Sequence, residues 1–168
     1  MRFLIVLLLV LISQKGFSQD LTRRELARID SAKSLILKVG PPFSDIFKTH
    51  VKEITTWGGS YSTCYADPGK PGTIYLTETE IKFGDINNLA AAIVHESFHL
   101  KFQYYGEYPD TEEVLCYKFE LEFLKKIPNL DPWLIDNCIA MIKFYGGWNL
   151  TLEIEINWFV NAIFTSII

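Results

Sequence analysis

The sequence predicts an α+β fold: a small β sheet or hairpin packed on a central helix, with further helices C-terminal to it. Three observations predict this. Residues 60–81 read as β-prone runs on either side of a turn-forming stretch, Asp67-Pro68-Gly69-Lys70-Pro71-Gly72. Residues 89–104 are apolar on nearly every side and read as a buried helix. Helical periodicity precedes the β segment once and follows it repeatedly, so the two kinds of element are segregated along the chain. The composition agrees with a globular chain: 168 residues, 49% hydrophobic and 21% charged. That disfavours a disordered tail, a collagen or a coiled coil. Lys and Arg number 16 against 20 Asp and Glu. A basic footprint is absent, and no nucleic-acid partner is expected.

The first residues form a separate unit. Met1-Arg2 is a short basic start, Phe3 to Ile12 is an unbroken apolar run, and Ser13 to Ser18 is a polar close with small residues at 16 and 18. This is the layout of a secretory signal, and the run falls short of the ~20 residues that cross a bilayer. The length disfavours the competing reading, a retained anchor. The expectation is a signal peptide at 1–18, a single domain at 19–168, and a secreted or periplasmic location. No stable membrane span remains after signal removal.

Thr22-Arg23-Arg24-Glu25 has the spacing of a capping box. Leu26, Ile29, Ala32, Ile36 and Val39 then repeat at helical intervals until Gly40-Pro41-Pro42 stops the helix. Residues 43–57 fit two readings. Phe43, Phe47, Val51 and Ile54 suit a helix, while His50 to Thr56 alternates as a strand does. Beyond the β segment, Asp85 or Asn87 caps the central helix, expected from Leu89 to Tyr104. Asp110 or Thr111 opens the next, Glu112 to Lys126. Asp131-Pro132 combines an N-cap with proline at the first helical position and starts a helix ending at Gly146-Gly147. The stretch Asn149 to Ile168 is strongly apolar. It reads as a core helix or strand, or alternatively as a membrane-surface or partner-binding element. Asn149-Leu150-Thr151 is a glycosylation sequon. Cys64, Cys116 and Cys138 allow one disulfide in an oxidising compartment, or serve as small buried side chains.

The chemistry is concentrated in His95-Glu96-Ser97-Phe98-His99, an HExxH pattern inside the central helix that uses two of the three histidines. Residues four apart share one helix face, so both imidazoles can bind one metal ion. Glu96 lies around the helix from them, placed to take a proton from a water that Zn²⁺ activates. The bland alternative is a pair of core histidines. Burying two imidazoles and a carboxylate together costs several kcal/mol unless something pairs with them, and a metal supplies that pairing. A catalytic zinc has three protein ligands and an open position. His50, beside Val51 and Ile54, reads as a packed or surface residue rather than a ligand. The following helix offers Glu112, Glu113, Glu120 and Glu122. Glu113, in the first turn, is preferred, with Glu112 and Glu120 as alternatives. Acidic residues there also answer the helix dipole, and Asp110-x-x-Glu113 is itself a capping-box spacing.

With Thr73-Ile74-Tyr75-Leu76 before it and Glu113-Val114-Leu115-Cys116-Tyr117 after it, the motif resembles the zincin metallopeptidases of the gluzincin type, in particular small exported bacterial ones. The resemblance spans residues 73–124. It implies a zincin-like fold in which a strand runs beside the cleft, a first helix carries His95 and His99 as metal ligands and Glu96 as base, and a second helix brings Glu113 as third ligand with Cys116 as a small neighbour. It also implies Zn²⁺ as cofactor and an exported hydrolase that cleaves peptide bonds in a peptide or protein substrate. A hydroxyl from Tyr104, Tyr105, Tyr108 or Tyr117 would suit an oxyanion, although ordinary aromatic packing is favoured. If Thr73 to Thr77 is the cleft strand, a peptide can add to its edge. The alternative function is a non-catalytic zinc-stabilised binding or inhibitory protein that keeps the motif as a closed site.

Overall fold

The capping box at Thr22 forms as its spacing predicts. The Thr22 hydroxyl accepts from the Glu25 N–H at 3.3 Å, and the Glu25 carboxylate accepts from the Thr22 N–H at 2.7 Å. It starts α1 (Arg23–Val39), which buries Ile29, Ala32 and Ile36. Leu26 departs from the predicted stripe and is 48% exposed, because the capping interaction turns Glu25 inward instead. The computed structural model describes residues 21–56, 64–102 and 109–146. The signal at 1–18, Ser60 to Thr63, Tyr104, Tyr105, Tyr108, the sequon and the apolar stretch 149–168 lie outside the described residues.

The stretch with two readings contains both elements in succession, α2 (Phe43–His50) and β1 (Glu53–Thr56). The β segment contributes two short strands, β2 (Tyr65–Ala66) and β3 (Thr73–Leu76). The sheet order is β1-β3-β2. β1 pairs with β3 in parallel, Ile54 opposite Ile74, and β2 pairs with it antiparallel, Ala66 opposite Ile74. Gly72 closes the β2–β3 turn at φ 91°. Its carbonyl accepts from the Lys52 and Glu53 N–H groups, which anchors the start of β1. A Cβ there would strike the Lys52 side chain at 2.9 Å, so the position requires glycine. The predicted β structure stops earlier than 81: Glu78–Phe83 is a short helix, α3. Its cap is the Thr77 hydroxyl, which accepts from the Glu80 N–H at 3.0 Å.

Arg28 on α1 donates to the carbonyls of Ile81, at 2.5 Å, and Gly84, tying α3 and the entry of the next helix to α1. That helix, α4 (Ile86–Phe102), begins where the Asp85 carboxylate accepts from the Asn87 N–H at 2.7 Å. Ten of its residues between Leu89 and Leu100 are buried, so the expectation of a central helix holds. It packs against α1, α2, β2, β3 and α5 (Pro109–Leu124), and α5 packs in turn against α6 (Pro132–Gly146). The Asp131 carboxylate accepts from the Trp133 N–H and caps α6 as predicted. Phe43, Phe98, Phe119 and Phe123 form the joint between α2, α4 and α5. Ring centroids lie 4.2 Å apart for Phe98 and Phe119, 4.8 Å for Phe43 and Phe119, and 5.4 Å for Phe43 and Phe123. That joint sets how α5 lies on α4.

All three cysteines are free thiols. The disulfide that the sequence allowed does not form: Cys116 and Cys138 are buried on different helices, and the Cys138 thiol donates to the Tyr117 carbonyl at 3.0 Å. Among the described residues no helix is long and apolar enough to cross a membrane.

Candidate metal centre

His95 and His99 lie one turn apart on the face of α4 that meets α5. Their Nε2 atoms are 3.2 Å apart. The Glu113 carboxylate, in the first turns of α5, faces both: Oε2 is 3.3 Å from His95 Nε2 and Oε1 is 3.4 Å from His99 Nε2. The other ring nitrogens point away from this meeting place. His95 Nδ1 is 3.0 Å from Glu120 Oε2, and His99 Nδ1 is 2.7 Å from Glu112 Oε1. An ionised carboxylate only accepts, so each Nδ1–H donates, and each Nε2 is left to face the centre, carrying a proton towards Glu113 or, once that proton leaves, a lone pair for a cation. The helical repeat of α5 explains the division of labour. Glu112, Cys116 and Glu120 are four residues apart and share a face. Glu113 is turned around the helix from them and is the most exposed of these groups, at 27% for its side chain.

The site concentrates charge where water is scarce. Burial disfavours protonating His95 and His99, but hydrogen bonds to Glu113 and Glu120 raise His95 to about 10, and those to Glu112 and Glu113 raise His99 to about 9. Burial pushes the Glu113 carboxyl up, yet hydrogen bonds from both imidazoles and their charge outweigh it and hold it at about 2. Glu96 is held above the ordinary carboxylate range, chiefly by burial, although the two imidazoles and the backbone N–H of Ala66 on β2 pull it down. The arrangement therefore calls for positive charge between the two Nε2 atoms, as protons or as a cation.

A zinc ion suits the donors. Around a tetrahedral Zn²⁺ with ~2.0–2.1 Å bonds, neighbouring donor atoms lie about 3.3 Å apart. The spacings here are 3.2, 3.3 and 3.4 Å. Two imidazoles and a carboxylate are also a zinc-type donor set, and each imidazole has its carboxylate behind it. A further donor lies close by: Cys116 Sγ is within 4.8 Å of a ring nitrogen of each histidine.

The structure brings together His95, Glu96, His99 and Glu113. Glu112 and Glu120, the alternative third ligands, are instead positioned behind the rings, because the facing of α5 sends them to the Nδ1 atoms. Glu122 pairs with Lys125 at the surface, at 2.6 Å. His50 ends α2, where burial and then the Lys101 charge lower its pKa, and it takes no part in the cluster. Tyr117 packs edge-on against the His95 ring, centroids 4.4 Å apart, and stacks on Tyr145. Burial pushes its hydroxyl up. The expected peptide addition at the edge of Thr73 to Thr77 is overturned: β3 is the middle strand, with β1 and β2 occupying its two edges. β2 is the strand that reaches the site, through Ala66. The sequence offers Cys116 as a small buried neighbour or as half of a disulfide, not as a donor. The four-residue spacing of Glu112, Cys116 and Glu120 was the signal that could have placed it with the donors.

The chain matches no protein-family model, no curated protein and no solved structure.

Proposed function

We propose that this chain is an exported zinc-dependent hydrolase of zincin-like fold, acting on peptide bonds in a peptide or protein substrate. The observation that carries the reading is the convergence of two Nε2 lone pairs and the Glu113 carboxylate, each ring held from behind by its own carboxylate. Zinc bound there supplies a Lewis acid that polarises a carbonyl and acidifies water. The remaining work belongs to the chain. Glu112 and Glu120 hold the imidazoles in one tautomer and one orientation. Glu113 contributes negative charge and stays ionised. Glu96 accepts a proton from the attacking water and returns it to the departing amine, a role for which a buried carboxyl with a raised pKa is suited. The Ala66 N–H steadies that carboxyl from β2.

The test is the metal content of the purified protein. Stoichiometric zinc that is lost in His95→Ala supports the proposal, and a folded, metal-free protein refutes it. A second reading is a non-catalytic zinc-stabilised binding or inhibitory protein. It is favoured by how little of the centre meets solvent, His95 and Glu96 being 6% exposed each. Zinc-loaded protein with no turnover on an unstructured polypeptide selects this second reading.

A further inference from the structure

The three thiols of the chain differ in what they touch. The Cys138 thiol donates to the Tyr117 carbonyl, and Cys64 has a backbone partner at Thr77. Cys116 has neither: among the described residues its sulfur takes part in no hydrogen bond, and the residue is 0% exposed. It nevertheless lies within 4.8 Å of a ring nitrogen of both His95 and His99, between Glu112 and Glu120 on the same face of α5. An unpartnered thiol at full burial, beside two nitrogen donors and four carboxylates, has a physical role if it faces a cation.

We propose that Cys116 is a fourth protein donor to the cation held by His95, His99 and Glu113, giving the centre thiolate character. The inference rests on the metal-centre reading above and extends it. Donors then run from Cys116 at the buried side, through the histidines, to Glu113 at the solvent side. Coordination breaks the S–H bond, the sulfur keeps the electron pair, and the proton passes to solvent. Thiolate is a soft ligand, so this donor biases the centre towards zinc and cobalt and away from magnesium, calcium and manganese. For such a centre to hydrolyse a substrate, the exposed Glu113 carboxylate would be the donor able to give way.

The experiment is cobalt(II) substitution of the full chain, read by absorption spectroscopy. The expected result is a near-ultraviolet sulfur-to-cobalt charge-transfer band together with visible ligand-field bands. Cys116→Ser keeps the visible bands and loses the near-ultraviolet one, while Cys64→Ser and Cys138→Ser keep both. Zinc loading is also expected to release one proton more per ion in the wild type than in Cys116→Ser. Visible bands without the charge-transfer band in the wild type overturn the Cys116 assignment and leave the metal centre standing. A charge-transfer band that survives in Cys116→Ser overturns it equally. Absence of every cobalt band refutes the metal-centre reading and this inference with it. Should Cys116→Ser fail to fold, X-ray absorption of the zinc-loaded wild type decides, with a sulfur shell at about 2.3 Å expected and its absence contrary.

Discussion

Helices α4 and α5 meet through two neighbouring contacts of opposite character. In one, Phe98 stacks on Phe119, which also touches Phe43, and the joint is complete as it stands. In the other, His95 and His99 face Glu112, Glu113 and Glu120, with Glu96 buried alongside. The first contact is stabilised by removing apolar surface from water and needs no further partner. The second has given up solvation for six ionisable groups and balances only when positive charge enters between the Nε2 atoms. The comparison teaches that the phenylalanines hold the helix pair together, while the polar contact gathers buried ionisable groups whose charges must be balanced. Its stability is conditional where that of the aromatic joint is not.

The largest expected effect tests the polar contact alone. Glu96→Gln is expected to keep bound zinc and lower peptide hydrolysis by about 10²–10⁴-fold. Unchanged turnover with zinc retained removes Glu96 from the role of base. The aromatic joint is tested next: Phe119→Ala is expected to cost ~3–5 kcal/mol of unfolding free energy. Denaturant titration should show a loss of that size in chelated protein as well as in zinc-loaded protein. A loss that appears only in the loaded form erases the distinction between the two contacts.

Smaller effects sharpen it. Glu112→Gln and Glu120→Gln are each expected to weaken zinc about 10–100-fold, measured by competition with a chromophoric chelator. Unaltered affinity means that the carboxylates behind the rings do not orient them. The remaining comparison is of pH dependence. In chelated protein both imidazoles have pKa values raised from 6.5, His95 to about 10 and His99 to about 9. Their stabilising contribution is therefore complete below pH 6.5 and is lost as pH rises through 9 and 10. The melting temperature of chelated protein should fall over that range. Zinc-loaded protein, whose Nε2 atoms are taken, should show no such fall.

Much of this was legible locally. The capping box at Thr22, the Asp85 and Asp131 caps and the largely apolar course of α4 are short-range patterns, and each forms as its spacing predicts. The misreadings have physical causes. Thr77-Glu78-Thr79-Glu80 repeats the threonine–glutamate spacing that starts α1, yet its place after a β-prone run hid a helix of six residues. The segment 43–57 satisfied two periodicities because it contains a helix and a strand in succession. The choice among Glu112, Glu113 and Glu120 was not readable, since all three occupy one helix and any of them could meet a metal.

By itself the sequence determined that His95 and His99 share a face of a buried helix with Glu96 beside them, because an i, i+4 relation follows from the helical repeat alone. Tertiary structure decided the rest. The lie of α5 on α4, set by the phenylalanine joint, turns Glu113 towards the Nε2 atoms, sends Glu112 and Glu120 behind the rings and brings Cys116 within reach. The order of the sheet made β3 its middle strand and gave β2 the contact with Glu96. Both outcomes depend on which surfaces pack together across long separations in the chain, and no local periodicity records that.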